Sequence, residues 1–250
     1  GEEIDFTDNE FLLHGFETIP ATTPTFEDDF STNNYSVTGS NIAVTNNEIQ
    51  YSSSSDDSRL YRTITDIGNQ DFVIDWVETI GAYSSGSGHV YDGVIVAEDD
   101  TRMYASSTND GYTSRTITKS TSAYCSNNDC SVISPQQRIG GTMTEGGGST
   151  SFVTQGDTYY MRLSLDGTTL RQEAFSDEAR TVSVAFDTIT ATAIPNLVSL
   201  QHGSQTTSST VSGVVIDDVQ VYYGTASVTP TPNYTTNISG SLDEFFVNSD

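Results

Sequence analysis

Positive charge, cysteine and long apolar runs are all scarce in this sequence of 250 residues. Nine Lys and Arg residues stand against 34 Asp and Glu, which gives a net charge of −25 at pH 7. Nucleic acid and anionic membrane surfaces are therefore poor partners, because both are bound through clusters of Lys and Arg. No apolar run approaches the roughly 20 residues of a transmembrane helix, so membrane insertion is not expected. Self-assembly of such acidic copies would need cations, salt or strong apolar contacts.

The two cysteines lie close together in the sequence. Cys125 and Cys130 are separated by four residues, which suits a small loop closed by a disulfide better than a metal or redox site, because there is neither a second Cys pair nor a nearby His. Three Asn-X-Ser/Thr sequons are candidate sites for glycans on an exported protein. Together these features predict an extracellular or cell-surface location. The sequons begin at Asn34, Asn233 and Asn237.

Apolar segments lie at both extreme ends of the chain, each separated from the middle by a Pro/Thr stretch, at 20–25 and 229–232. Burying a large apolar side chain is worth roughly 1.5–3 kcal/mol, so these segments need a partner surface. We divide the chain into a tail at 1–25, a body at 26–224 and a tail at 225–250. The apolar residues predicted to mediate assembly are Phe11, Leu12, Leu13, Phe16, Leu242, Phe245, Phe246 and Val247.

The body is a series of short β-branched and aromatic runs separated by Gly, Asn, Asp and Ser. This pattern predicts an all-β fold of roughly a dozen strands. Residues 71–78 read as a central strand, with Phe72, Ile74 and Trp76 on one face. Residues 106–151 are poorer in apolar residues, and we expect long loops there around the cysteine pair.

The clearest hairpin lies in the second half of the body. Residues 159–165 predict one strand, Asp166 and Gly167 a two-residue turn, and 168–175 the returning strand. A further strand at 214–223 closes the body. Its alternation places Val215, Asp217, Val219 and Val221 on one face and Ile216, Asp218, Gln220 and Tyr222 on the other.

Three of these runs carry a resemblance to a known superfamily. They are FEDDFS at 26–31, YYMRLSLDG at 159–167 and VIDDVQV at 215–221. Their order and spacing resemble those of the concanavalin A-like lectin/glucanase (laminin-G-like) jelly rolls. The resemblance implies an all-β, two-sheet antiparallel jelly-roll sandwich, here with extended N- and C-terminal tails.

The resemblance also implies a structural calcium ion near the joined first and last strands. The matching positions are Asp28 and Asp29 at the opening and Asp217 and Asp218 at the close. Calcium takes six to eight oxygen ligands, which carboxylates from paired strands can supply. The alternative is that these aspartates are solvated strand-end residues of an acidic protein.

Catalytic signatures are incomplete. Glu3-Ile4-Asp5-Phe6 matches half of the Glu-x-Asp-x-x-Glu strand of laminarinase-type glucanases, but the second Glu is missing and the motif lies in the tail. Gln201-His202 weakly resembles the Gln/His pair of polysaccharide lyases. The histidines His14, His89 and His202 lack clustered spacing, which favours surface or packing roles. No enzyme activity is expected.

Glycan binding without catalysis is compatible with the sequence. Lectin-type sites stack an aromatic side chain on a sugar face beside Asp or Asn acceptors. Tyr104, Tyr112 and Tyr124 are candidates because they lie in expected loops. The alternative is that tyrosine covers sheet edges and loops.

Two functions follow from this organisation. The leading hypothesis is a non-catalytic extracellular structural protein that binds copies of itself head-to-tail through its terminal strands, forming a filament or surface layer. The alternative is a carbohydrate-binding, lectin-like adhesion module of a larger surface protein. The tails would fold back on their own body if the protein is instead a monomeric module.

Overall fold

Strands joined by turns and loops account for the part of the chain that the computed structural model describes, residues 24–51, 58–85, 89–101, 103, 108–118, 130–147, 151–204 and 210–223. The strands in this part are β1 (Phe26–Asp28), β2 (Ser36–Thr38), β3 (Ile42–Thr45), β4 (Glu48–Tyr51), β5 (Arg59–Thr63), β6 (Phe72–Thr79), β7 (Ala82–Ser85), β8 (His89–Ala97), β9 (Gly111–Thr118), β10 (Cys130–Ile139), β11 (Thr142–Glu145), β12 (Phe152–Thr154), β13 (Thr158–Asp166), β14 (Thr169–Phe175), β15 (Ser183–Thr190), β16 (Ser199–Ser204), β17 (Thr210–Ser212) and β18 (Val214–Tyr223).

Two antiparallel sheets contain all of these strands except the pair β7 and β17. Sheet A has the order β15-β14-β13-β6-β18-β4-β3, with β1 beside β18, and sheet B has the order β11-β10-β9-β8-β16-β5-β2, with β12 beside β10. The opening strand pairs with the closing strand, Phe26 lying opposite Val221. The all-β two-sheet antiparallel sandwich predicted from the sequence is confirmed.

The core lies between the sheets and is built from alternate residues of each strand. Phe72, Ile74 and Trp76 of β6 are all buried there, as their alternation predicted. Sheet B packs against them with residues such as Leu60 and Val96. The remaining positions of each strand therefore face outward, where they form the two outer faces of the sandwich.

The β13–β14 hairpin turns one residue later than the sequence pattern predicted. Asp166 pairs with Thr169, so the turn residues are Gly167 and Thr168. Gly167 has a φ of +56°, which glycine adopts without the steric penalty of a side chain. The two-residue turn therefore starts at the residue that accepts a positive φ.

The predicted faces of the closing strand are wrong. Ile216, Val219 and Val221 all point into the core, whereas simple alternation separates Ile216 from the two valines. The register with β6 shifts after Asp217, and Asp218 has a φ of +49°, which together mark a β-bulge. The extra residue reverses the alternation half-way along β18.

The prediction of long loops over 106–151 is also wrong for much of that range, which contains β9, β10 and β11. The inward side of β9 shows no apolar alternation in the sequence, because some of its inward side chains carry hydroxyl groups. Ser114 Oγ accepts the Val94 N–H at 2.7 Å, and Thr116 Oγ1 donates to Glu78 at 3.2 Å. A strand whose buried side is polar gives no hydrophobic alternation to detect.

A carboxyl group lies inside the core, between the two sheets. Glu78 of β6 is fully buried, and it accepts hydrogen bonds from Trp76 Nε1 at 2.7 Å, Tyr91 OH at 3.0 Å and Thr116 Oγ1 at 3.2 Å. Burial raises the pKa of Glu78, and the three hydrogen bonds oppose that shift. The network joins β6 of sheet A to β8 and β9 of sheet B.

The division into a body and two tails stays a prediction, because residues 1–23 and 224–250 lie outside the described residues. In the described part, β1 begins at Phe26 and β18 ends at Tyr223. The described residues also include no helix that is long and apolar enough to cross a membrane.

Candidate functional site

A straight row of side chains crosses six strands on the outward face of sheet B. Each member lies directly opposite the next on the neighbouring strand, and five of the six have a polar side-chain group. We call this set the polar row. From β5 to β11 it consists of Tyr61, Gln201, Ile95, Thr113, Gln136 and Glu145.

The end of the row on β11 is a connected hydrogen-bonding group. Gln136 Nε2 donates to Glu145 Oε2 at 2.8 Å, and Arg115 forms an ion pair with the same oxygen. Met143, two residues before Glu145, is an exposed apolar side chain. We call Arg115, Gln136, Met143 and Glu145 the β11 end. Glu145 and Met143 are exposed, whereas Gln136 is buried, so a ligand can reach this end of the row at Glu145 and Met143.

The centre of the row is covered by the segment that follows β8. Gln201 Nε2 donates to the carbonyl oxygens of Asp99 at 2.9 Å and Thr101 at 3.2 Å. Met103 packs on Ile95. Gln201 and Ile95 are consequently buried although they face outward. The β11 end is therefore the accessible part of the polar row beyond this segment.

A bulge in β8 brings a second carboxylate to this face. The register between β8 and β9 shifts between Asp92 and Ile95, and Thr113 Oγ1 donates to Asp92 Oδ1 at 2.9 Å. A side chain at Gly93, within the bulge, would begin 2.6 Å from Glu78 Oε2. A side chain at this position would therefore displace the buried Glu78 carboxyl group, which favours glycine here.

The two carboxylates on the strands of sheet B are too far apart for glycosidase chemistry. In the described strands of this sheet they are Asp92 on β8 and Glu145 on β11. Three strand spacings separate them, about 14 Å. Retaining glycosidases hold their carboxyl groups about 5–5.5 Å apart and inverting ones about 6.5–9.5 Å apart. The pair does not fit either geometry.

The outward face of sheet A differs, because the carboxylates of its ion pairs are buried. Arg162 Nε and Nη2 donate to the two carboxylate oxygens of Asp75 at 2.7 and 2.8 Å. Arg171 makes a similar two-point pair with Glu173. Both carboxylates are buried. These closed pairs leave fewer hydrogen-bonding groups for a ligand than the β11 end does.

The four aspartates predicted to bind calcium do not form a metal site in the described residues. Asp28 is buried and forms an ion pair with Arg62, which already supplies its positive partner. Burial raises the pKa of the Asp217 carboxyl, and the nearby negative charges of Glu48, Asp218 and Asp29 raise it further.

Within the described residues, no group of three or more His, Cys, Asp or Glu side chains is placed to hold a metal ion. Calcium binding by Asp28, Asp29, Asp217 and Asp218 would therefore require these side chains to rearrange. A calcium ion at the joined strands stays a prediction.

Other predicted site residues are only partly within the described chain. Cys130 begins β10 and is disulfide-bonded, while its predicted partner Cys125 lies outside the described residues, so the pairing stays a prediction. Asn34 is exposed in the loop before β2. The sequons at Asn233 and Asn237 lie outside the described part, as do all eight predicted assembly residues, Phe11, Leu12, Leu13, Phe16, Leu242, Phe245, Phe246 and Val247.

The loop placement of the candidate tyrosines is wrong for Tyr112. This residue lies on β9, fully buried, and its hydroxyl donates to the Thr192 carbonyl at 2.7 Å. Tyr104 and Tyr124 lie outside the described residues. Gln201 and His202 point to opposite faces of β16, as successive strand residues must. They are therefore not placed to act as a pair on one substrate.

The residues of the β11 end are absent from the predicted site because the sequence shows them in a stretch without apolar alternation. Arg115, Gln136 and Glu145 come from three different strands. The available signal was the run of residues with high β-propensity at 111–118, which contains three threonines and one tyrosine.

Comparison with solved structures shows what this sandwich is similar to. The CBM2 module of the evolved Dit of Lactobacillus casei BL23 phage J-1 matches with a TM-score of 0.55 and 10% identity, over 82% of this chain and 97% of that one. The match extends over the two-sheet, all-β jelly-roll sandwich. The globular domain of T. cruzi calreticulin matches with a TM-score of 0.50 and 9% identity, over 80% of this chain and 88% of that one.

These likenesses bear on the fold alone, because the identities are low. No family model matches the chain, and no curated protein matches it. The two-sheet jelly-roll fold predicted from the three sequence runs is nevertheless confirmed, with the opening and closing runs paired as β1 and β18.

Proposed function

We propose that this chain is a non-catalytic carbohydrate-binding module that acts outside the cell or at its surface. The observation that carries the proposal is the β11 end, where Arg115, Gln136 and Glu145 form one hydrogen-bonded group at an accessible end of a polar sheet face. The likeness of the fold to a CBM2 module supports the same function.

The chemistry of the β11 end matches that of a sugar. The exposed Glu145 carboxylate supplies acceptor oxygens and the partly exposed Arg115 guanidinium supplies donors. The Gln136 amide is buried and holds the Glu145 carboxylate by its hydrogen bond. Sugar hydroxyl groups donate and accept, so they can bridge such neighbours. The exposed Met143 side chain adds an apolar contact for the C–H face of a ring. A few convergent polar groups beside an apolar surface are what a small-ligand site requires.

Self-assembly through strand addition has less support in the described residues. The strands at sheet ends in this part include β2, β3 and β11, which are only three or four residues long. A short edge offers few backbone groups to an incoming strand. The remaining end strand, β15, is longer. One of its backbone acceptors, the Phe186 carbonyl, already accepts a hydrogen bond from Ser151 Oγ. Head-to-tail assembly stays a prediction.

Removing the charged pair of the β11 end should weaken glycan binding. We expect the double variant Arg115→Ala/Glu145→Ala to lose at least about 10-fold in affinity, because each lost charged hydrogen bond is worth about 1.5–3 kcal/mol. A glycan array of neutral and acidic oligosaccharides identifies a ligand, and titration calorimetry then measures the affinity.

The matched control is Arg171→Ala/Glu173→Ala, which removes an ion pair from the opposite face of the sandwich. This control should bind the glycan as the unchanged chain does. The proposal is overturned if the unchanged chain binds nothing on the array, or if both double variants lose affinity equally.

Calcium binding at the joined strands makes a separate prediction. An ion that binds only the folded state raises the melting temperature by mass action. Calcium should therefore raise the melting temperature of the full chain, and Asp217→Asn with Asp29→Asn should remove the effect. An identical melting curve in calcium and in chelator would contradict this prediction.

A further inference from the structure

Three exposed apolar side chains follow one another at the edge of sheet A. Val182, Val184 and Phe186 are 54%, 47% and 51% exposed. The register of β15 with β14 shifts between Ser183 and Ala185, so it is their exposure, and not a strict alternation, that groups these three side chains at the surface of this edge. The Arg171 guanidinium lies 3.9 Å from the centroid of the Phe186 ring. We call these four residues the β15 patch. Single exposed valines are ordinary, but a row that includes an aromatic ring indicates a contact surface.

We infer that the β15 patch binds the C-terminal apolar segment, residues 242–247, of the same chain. The segment reads Leu-Asp-Glu-Phe-Phe-Val, so two acidic residues precede two aromatic ones. The apolar half matches Val184 and Phe186, which lie side by side on β15. Burying two Phe side chains and one Val gives each roughly 1.5–3 kcal/mol.

The acidic half of the segment matches the one cation of the patch. Arg171 donates to Glu173 from Nε at 2.8 Å and from Nη2 at 2.7 Å. Glu173 thus engages two of the three guanidinium nitrogens, and Nη1 is available to a second carboxylate. Asp243 or Glu244 supplies it when Phe245 and Phe246 lie on the apolar residues.

The segment is within reach of the patch. Tyr222, near the end of β18, lies in one row with Thr188 of β15 through Val73, Ser164 and Arg171. Four strand spacings separate β18 from β15, and Phe186 is two residues from Thr188, so the span is about 20 Å. Residues 224–241 form an 18-residue linker. A fully flexible chain of that length has a root-mean-square end-to-end distance of about 23 Å, and the Pro/Thr stretch at 229–232 makes part of this linker more extended.

Two effects select the segment of the same chain over that of a second copy. Effective concentration is highest when the linker's average length equals the span, as it does here, and then reaches the millimolar range. A second copy also carries the net charge of −25, and like charges raise the free energy of association. Docking within one chain is therefore favoured at ordinary protein concentrations.

Disulfide trapping in the full chain tests the inference. In Val184→Cys/Phe246→Cys, the two cysteines should form a bond within one chain, because bridging requires Cα atoms within about 7 Å. We expect this bond to form at least about 10-fold faster than in Val37→Cys/Phe246→Cys. Val37 is similarly exposed, at 48%, but lies on β2 of sheet B. Non-reducing gels and intact mass measured at micromolar concentration separate cross-linked monomers from dimers.

Three results would overturn the inference. They are cross-linked dimers or ladders in place of monomers, equal rates for Val184→Cys and Val37→Cys, and faster bonding when Phe16→Cys replaces Phe246→Cys. A double-mutant cycle of Phe186→Ser with Phe245→Ser/Phe246→Ser provides a second measurement. Docking predicts that the shifts in melting temperature are non-additive, and additive shifts would count against it. Neither test involves the β11 end, so the glycan proposal stands or falls separately.

Discussion

Replacing Glu78 by alanine is expected to lower the free energy of unfolding by about 4 kcal/mol, which is a large fraction of the stability of a typical domain. The change leaves the Trp76 Nε1, Tyr91 OH and Thr116 Oγ1 donors buried without their acceptor. Each unsatisfied buried group costs about 1–3 kcal/mol, and the lost side chain leaves a cavity in addition. Chemical denaturation followed by far-UV circular dichroism measures the change.

Two further variants show whether the acceptor itself is responsible. Glu78→Gln keeps the shape but replaces one acceptor oxygen with a donor, so we expect an intermediate loss. Glu178→Ala removes an exposed glutamate and should change the stability by less than about 0.5 kcal/mol. The account of this network is wrong if Glu78→Ala is as stable as Glu178→Ala.

Lowering the pH from 6.5 to 4 is expected to remove about 3 kcal/mol of stability through His202 alone. Burial lowers the pKa of His202 from 6.5 to about 4, while a hydrogen bond with the Gly93 carbonyl acts in the opposite direction. The folded state therefore holds the neutral imidazole, and its advantage is complete above pH 6.5. This advantage is lost as the pH falls towards 4, because the unfolded chain takes up the proton first.

The surroundings of His202 explain why a charge is so unfavourable there. Nδ1 lies 2.6 Å from the Gly93 carbonyl oxygen, and the rings of Phe30 and Tyr35 stand edge-on with centroids 6.2 and 5.6 Å away. Burial raises the pKa of Tyr35 well above its ordinary value, so it stays neutral at these pH values and offers no counter-charge.

Comparison with His202→Gln isolates the contribution of the imidazole. The amide keeps a donor for the Gly93 carbonyl but does not titrate, so stability should change less between pH 6.5 and 4. Glu78 acts with the opposite sign, because its raised pKa makes its contribution decline as the pH increases. Equal pH dependence in His202→Gln and the unchanged chain would contradict the prediction, with His14→Gln as a control for general histidine titration.

The parts of the fold that the sequence predicted are those where one face of a strand is apolar. Phe72, Ile74 and Trp76 alternate without interruption, and the 159–175 hairpin does the same. The prediction of the two faces of the closing strand was wrong because the bulge depends on a single backbone conformation at Asp218. Nothing in the order of its side chains reveals a residue with positive φ.

The sequence did not predict the candidate site, and the physical reason is different. Arg115, Gln136 and Glu145 meet only because β9, β10 and β11 pair in a particular register, and register is a property of the assembled sheet. Ser114 and Thr116 add a second difficulty, since their inward side chains serve polar groups of the core. Sequence patterns find apolar layers, and this end of sheet B has a polar layer on both of its faces.

The pairing of the first strand with the last has a mechanical consequence. Phe26 lies opposite Val221 in an antiparallel pair, so the start of β1 and the end of β18 lie next to each other at one end of the sheet. Tension that draws the two chain ends apart would load their hydrogen bonds one after another, as in opening a zipper, rather than all at once in shear. In the described residues β1 is joined to β18 by three residue pairs and to β5 by the ion pair of Asp28 with Arg62, so we expect it to detach before the strands around the Glu78 network inside the sandwich.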